Sequence, residues 1–165
     1  MKYATVRPQI KSGDLLAWSH RGIKSWRDLK IWFVRTFTRS EYSHVGLAWV
    51  QGGRVLVIEA VMPLVRIFPL SKLLEDGAYW IPTGAAWSEF TEEFALEAVG
   101  DKYSQWQAMQ APFETPPNDT LWECAELVGT TLLRDGISLG KVYTPSAIVQ
   151  AALKLPNSSL TLLEK

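Results

Sequence analysis

Two apolar runs split by a Gly-Gly pair stand out in the first half of the chain. His44-Val-Gly-Leu-Ala-Trp-Val50 reads as a strand, and Arg54-Val-Leu-Val-Ile-Glu-Ala60 reads as its return. Gln51-Gly52-Gly53-Arg54 is a hairpin turn, since two glycines supply positive φ at both central positions. Gly13-Asp-Leu-Leu-Ala-Trp18 reads as a short buried strand after a turn, and further strands are predicted over residues 64–68, after Pro63, and near 78–81. Helical spacing appears at Trp26, Leu29, Phe33 and Phe37, which predicts an amphipathic helix over residues 23–37. Its aromatic stripe reads as core rather than as a ligand box. A short helix is expected near residues 71–75.

The second half reads as mostly helical. Helices are predicted over residues 89–99 and 104–109, while residues 111–119 hold Pro112, Pro116 and Pro117 and read as a loop. That loop is expected to border a cleft, because it leads into the next helix. There Thr120 can cap, Glu123 completes a capping-box pattern, and the helix runs to about Arg134, before Gly136. Thr144 and Pro145 open a last helix as cap and first helical residue. Strands first and helices afterwards predict an α+β fold: an antiparallel sheet packed by helices.

Composition narrows the function classes. The 165 residues suit one domain, residues 1–165, with a real core. Lys+Arg and Asp+Glu both total 17, so the net charge is zero, which argues against a nucleic-acid binder working by phosphate neutralisation. The single cysteine excludes an internal disulfide framework and suits a reducing compartment. The first ten residues contain no apolar run of signal-peptide length, and no stretch is long enough to span a membrane, so a cytoplasmic start is expected. Eight tryptophans are many for this length, and most are expected in the core.

The candidate chemistry centres on that cysteine. Cys124 falls in the first turn of its predicted helix, where unpaired N–H groups and the helix dipole favour a thiolate. Taken alone, a small buried hydrophobe is the better reading. The hairpin changes the balance. With a two-residue turn at Gly52-Gly53, Gly46 faces Glu59 and His44 faces Val61. Because side chains alternate faces along a strand, His44 and Glu59 then share a face as diagonal neighbours about 7 Å apart. A carboxylate beside an imidazole fixes its tautomer and favours the imidazolium, which in turn favours a nearby thiolate. His44, Glu59 and Cys124 therefore have the three roles of a cysteine hydrolase triad, although nothing in the spacing brings Cys124 to the pair. His20 reads as an exposed loop residue and Glu126 as a surface or helix-packing residue. One Cys and two His make no zinc set, no phosphate-binding glycine loop is present, and no cofactor is implied.

The order Gly13-Asp14-Leu-Leu, Ser43-His44-Val-Gly46, Val57-Ile-Glu59-Ala60, Cys124-Ala-Glu126-Leu-Val resembles the circularly permuted branch of the NlpC-like papain-fold cysteine hydrolases, the YiiX/YebB-like group. In that branch the cysteine helix follows the sheet that carries the histidine. Gly100-Asp-Lys-Tyr103 is similar to the family's Gly-x-x-Tyr, and Thr144-Pro145 to its late helix start. The resemblance spans about residues 12–150. It implies Cys124 as nucleophile, His44 as base, Glu59 as the residue orienting His44, and Tyr103 near the substrate carbonyl or oxyanion. Ala125 stands where a serine commonly follows the cysteine.

Three readings follow from this. The first is a thiol-dependent amide hydrolase acting on a peptide or amide, with bacterial cell-wall peptidoglycan as the leading substrate class. Without a signal peptide, such a substrate requires delivery by lysis, a virion or a secretion machine. The second is a lipid acyl hydrolase or acyltransferase, which the aromatic content suits and the lack of a membrane anchor or lipidation motif opposes. The third is a non-catalytic binding module that keeps the fold.

Overall fold

The computed structural model describes residues 1–19, 41–75, 77–103, 122–141 and 144–165. The predicted helix over 23–37, that over 104–109, the Pro-rich loop 111–119, Thr120 and His20 lie outside the described residues.

The strands fall where alternation and turn chemistry place them: β1 Leu15–Trp18, β2 His44–Gln51, β3 Arg54–Val61, β4 Leu64–Pro69 and β5 Ala78–Ile81. A sixth strand, β6 Thr161–Leu163, was not foreseen; it pairs with β5. The six form one sheet in the order β4-β3-β2-β1-β5-β6, every ladder antiparallel. The Gly52-Gly53 turn sets the register as expected: Gln51 faces Arg54, and the ladder continues to Leu47 opposite Ile58. Both glycines have positive φ, 56° and 73°.

Helix α1, Tyr3–Val6, precedes the sheet, α2 is Glu89–Glu97, α3 is Cys124–Arg134 and α4 is Pro145–Ala152. The expected helix near 71–75 is a single tighter turn, Leu70–Lys72. Ser88 caps α2 by accepting the Thr91 N–H, and Thr144 caps α4 by accepting the Ala147 N–H at 3.2 Å, with Pro145 at the first helical position. The start of α3 departs from expectation. Glu123 is its N-cap rather than its third residue, and the Glu123 side chain makes no capping bond. Cys124 is therefore the first helical residue.

Alternation divides the sheet into two packed faces. Leu15, Ala17, Val45, Leu47 and Ile81 pack with Cys124, Ala125, Val128 and Leu132 of α3 and with Ile148 and Val149 of α4. Leu16, Ala48, Val57 and Trp80 pack against Val6, Ile10 and Leu70. Each fully buried leucine or isoleucine contributes about 1.5–3 kcal/mol. On α3 the inward residues Cys124, Leu127, Val128, Thr131 and Leu132 recur at helical spacing, so burial of that stripe fixes the helix rotation and with it the direction of Cys124. Asp14 ties β1 to β5: buried, it accepts the Trp80 Nε1–H at 2.8 Å and the Thr83 N–H at 3.3 Å.

Candidate active site

His44 opens β2, in the interior of the sheet between β1 and β3. Its start is held from both sides. The Ser43 N–H donates to the Trp18 carbonyl at 2.9 Å, and the Tyr42 N–H donates to Ser146 Oγ at 3.0 Å, in the first turn of α4. The Trp18 ring, opposite His44 in the ladder, lies 5.3 Å from the imidazole at 34°.

Glu59 lies in β3 and is 2% exposed. Its Oε2 is 2.7 Å from His44 Nε2, so the two side chains that the hairpin count places on one face do meet. Gly46 makes room for this. A Cβ there would lie 2.8 Å from Val57 Cγ1, 3.1 Å from the Ile58 carbonyl and 3.2 Å from the Glu59 Cβ. The other carboxylate oxygen, Oε1, accepts from Arg66 Nε at 2.8 Å and lies 2.7 Å from Arg66 Nη2. Arg66 faces Glu59 directly in the β3–β4 ladder. Burial opposes the charged form of Glu59, but the bonds to His44 and Arg66 outweigh it and hold the carboxyl below its usual range.

Cys124 approaches the same imidazole closely enough for its side chain to favour the charged ring. With Nε2 engaged by Glu59, Nδ1 is the nitrogen left for the sulfur. Burial works against the imidazolium, yet the nearby Cys124 and the Glu59 carboxylate prevail, and the His44 pKa is pushed up to about 9. Elements β3, β2 and α3 thus bring together Glu59, His44 and Cys124, in that order.

Tyr103 stands beside this row. Its N–H donates to the Pro63 carbonyl at 2.9 Å, and the strap 101–103 runs alongside Trp122, whose N–H donates to the Lys102 carbonyl at 3.0 Å. Tyr103 is half-buried, with Cys124 and Glu123 near enough to oppose its ionisation. Burial first, then those two neighbours, raises its pKa, so the phenol stays neutral. Ala125 is fully buried in the core under α3.

Two residues escaped the reading of the sequence. The signal for Arg66 is the β3–β4 ladder counted outward from Met62-Pro63, which sets it opposite Glu59. Glu123 carries no comparable signal. It is 7% exposed, with an Oε1 that has no partner among the described residues. Burial, and then the Glu126 charge, pushes its pKa up to about 8, against a smaller opposing effect of the Glu126 N–H. The carboxyl next to Cys124 is accordingly neutral at pH 7. Glu126 is half-buried at the same helix start.

No protein-family model matches the sequence, and no curated protein is significantly similar to it. Among solved structures, the chain is similar to one described as the metalloprotein YiiX from Escherichia coli O157:H7, with 18% identity and a TM-score of 0.64, covering 93% of this chain and 97% of that one. The α+β fold of this chain, a six-stranded antiparallel sheet with helices, is therefore similar to the fold of that protein. Among the described residues no group of three or more His, Cys, Asp or Glu is placed to hold a metal ion. His44 Nε2, the outer ring nitrogen, is already committed to Glu59. Among the described residues, too, no helix is long and apolar enough to cross a membrane.

Proposed function

We propose that the protein is a thiol-dependent amide hydrolase in which Cys124 is the nucleophile, His44 the acid and base, and Glu59 the residue that orients His44. The observation that carries this reading is the position of His44, bonded to Glu59 through Nε2 at 2.7 Å with Cys124 close enough to act on the same ring. A thiol, an imidazole and an orienting carboxylate in that sequence are what nucleophilic acyl chemistry requires.

His44 holds the proton given up by Cys124, and the sulfur attacks the substrate carbonyl carbon. The Cys124 N–H, at the start of α3 and free of an intrahelical partner, is the natural donor to the developing oxyanion. Tyr103, a neutral phenol beside the thiol, is a second donor toward it. Nδ1 then passes its proton to the leaving nitrogen as the C–N bond breaks, which leaves a thioester. Water attacks the thioester, His44 takes the water proton, and the C–S bond breaks to release the carboxylic acid. Glu59 keeps Nε2 protonated throughout, so that Nδ1 remains the working nitrogen.

The resemblance of the ordered motifs to the circularly permuted NlpC-like papain-fold group, with the nucleophile helix after the sheet, makes bacterial cell-wall peptides the first substrates to try. The test is the rate of Cys124 alkylation by iodoacetamide against pH, in wild type and in His44→Ala. Rapid alkylation at pH 6 that disappears in His44→Ala is the expected result, followed by turnover of peptidoglycan peptides that Cys124→Ala abolishes. Slow alkylation at pH 6, identical in both proteins, overturns the reading.

A further inference from the structure

The carboxylate that orients His44 is itself held, and the group holding it lies one strand further out. Glu59 is almost completely shielded from water, and an isolated carboxylate in such a place takes up a proton rather than stay charged. Two cationic groups face it: His44 from β2 and Arg66 from β4. His44 is an unreliable partner, because in any acyl-transfer cycle it must lose its proton. Arg66 keeps its charge at every working pH.

The contacts are divided between the two oxygens. Arg66 takes Oε1 through both Nε and Nη2, and His44 takes Oε2. The guanidinium is in turn backed by the Phe68 ring, 4.9 Å away, two residues along the same strand and on the same face. Its outer side is 41% exposed, so its own charge is hydrated at little cost. The row Phe68, Arg66, Glu59, His44, Cys124 crosses β4, β3 and β2 and ends at the first residue of α3.

We infer that Arg66 is a positioning residue of the proposed catalytic site: it keeps Glu59 anionic and turned so that Oε2 meets His44 Nε2, which leaves Nδ1 toward the Cys124 sulfur. The inference rests on the thiol-hydrolase reading and deepens it. If Glu59 gained a proton, its O–H would donate to Nε2, the imidazole proton would move to Nδ1, and His44 could no longer accept from the thiol. Among the described residues, the charged and titratable groups around the row are Arg66 and His44 on Glu59, and Cys124, Glu123 and Tyr103 at the far end of it. Of these, only Arg66 is a permanent cation.

The test compares pH profiles of Cys124 alkylation by iodoacetamide in wild type, Arg66→Gln, Arg66→Lys and His44→Ala, with thermal melting to confirm folding. The expected result is an acid limb moved up by about one pH unit in Arg66→Gln, about tenfold in rate at pH 6, with most of the loss recovered in Arg66→Lys. A purely structural Arg66 changes the melting temperature and leaves the profile in place. A folded Arg66→Gln with the wild-type profile, beside a His44→Ala that has lost fast alkylation, overturns the role of Arg66 and leaves the hydrolase reading standing. A His44→Ala with the wild-type profile overturns both. Should Arg66→Gln fail to fold, Phe68→Leu loosens the same guanidinium: a profile shifted in the same direction supports the inference, and an unmoved one overturns it.

Discussion

Gly46 and Glu59 approach so closely that a Cβ on Gly46 would stand 3.2 Å from the Cβ of Glu59 and only 2.8 Å from Val57 Cγ1. A contact of that length on a central strand has little freedom to relax, since the Ile58 carbonyl is also within 3.1 Å. Gly46→Ala is expected to lower stability by about 1–3 kcal/mol, the usual cost of overpacking. It is also expected to slow Cys124 alkylation at pH 6, because Glu59 is pushed away from His44. Urea denaturation together with the alkylation rate checks both; an Ala variant unchanged in either would mean that the strands separate freely there.

His44 titrates near pH 9 in the folded protein, well above the ordinary value of about 6.5. In Glu59→Gln the anion is gone while burial remains, and burial alone favours the neutral ring. The His44 titration is therefore expected to fall by at least about one pH unit. The ring-proton NMR signal, assigned by its loss in His44→Asn, reads this directly. The linkage has a definite sign. A raised pKa in the folded state gives stabilisation that is complete below about pH 6.5 and drains away as pH rises through about 9, so wild type should lose stability across that window and Glu59→Gln should lose much less.

Glu123 acts in the same direction at lower pH. Its folded pKa of about 8 lies above the ordinary carboxylate value of about 4.3, so the folded state retains a proton that the unfolded chain releases. Stability is full below about pH 4.3 and is lost progressively up to about pH 8. Glu123→Gln, which copies the neutral carboxyl, is expected to be more stable than wild type at pH 8 by on the order of 5 kcal/mol and nearly equal to it at pH 4. Chemical denaturation at the two pH values measures the difference. A variant less stable than wild type at pH 8 would show that Glu123 is ionised and held by a partner.

The parts of this molecule visible in its sequence are those governed by neighbours in the chain. Gly52-Gly53 sets a turn, the turn sets a register, and the register brings His44 to Glu59. Thr144-Pro145 announces α4 for the same local reason. The arrival of Cys124 at His44 is a different kind of fact. It depends on the packing of α3 across β2, and no spacing between residues 44 and 124 encodes that packing. The start of α3 departs from the capping-box pattern: Glu123 is the N-cap, and its side chain is buried rather than engaged in a capping bond. β6 was missed because a three-residue strand at the sheet edge carries almost no periodic signal.

Lys2 forms a parallel bridge with Glu164, the Tyr3 N–H donates to the Glu164 carbonyl at 2.8 Å, and the Glu164 N–H donates to the Met1 carbonyl at 2.9 Å. Residues 2 and 164 are thus already stitched together at the sheet margin. A few residues linking these two segments would close residues 2–164 into a ring, which could be reopened in an exposed turn without displacing a strand. In such a ring helix α3 comes neither before nor after strand β2. Sequence order is then a property of the opening, while the row from Arg66 to Cys124 belongs to the closed loop itself.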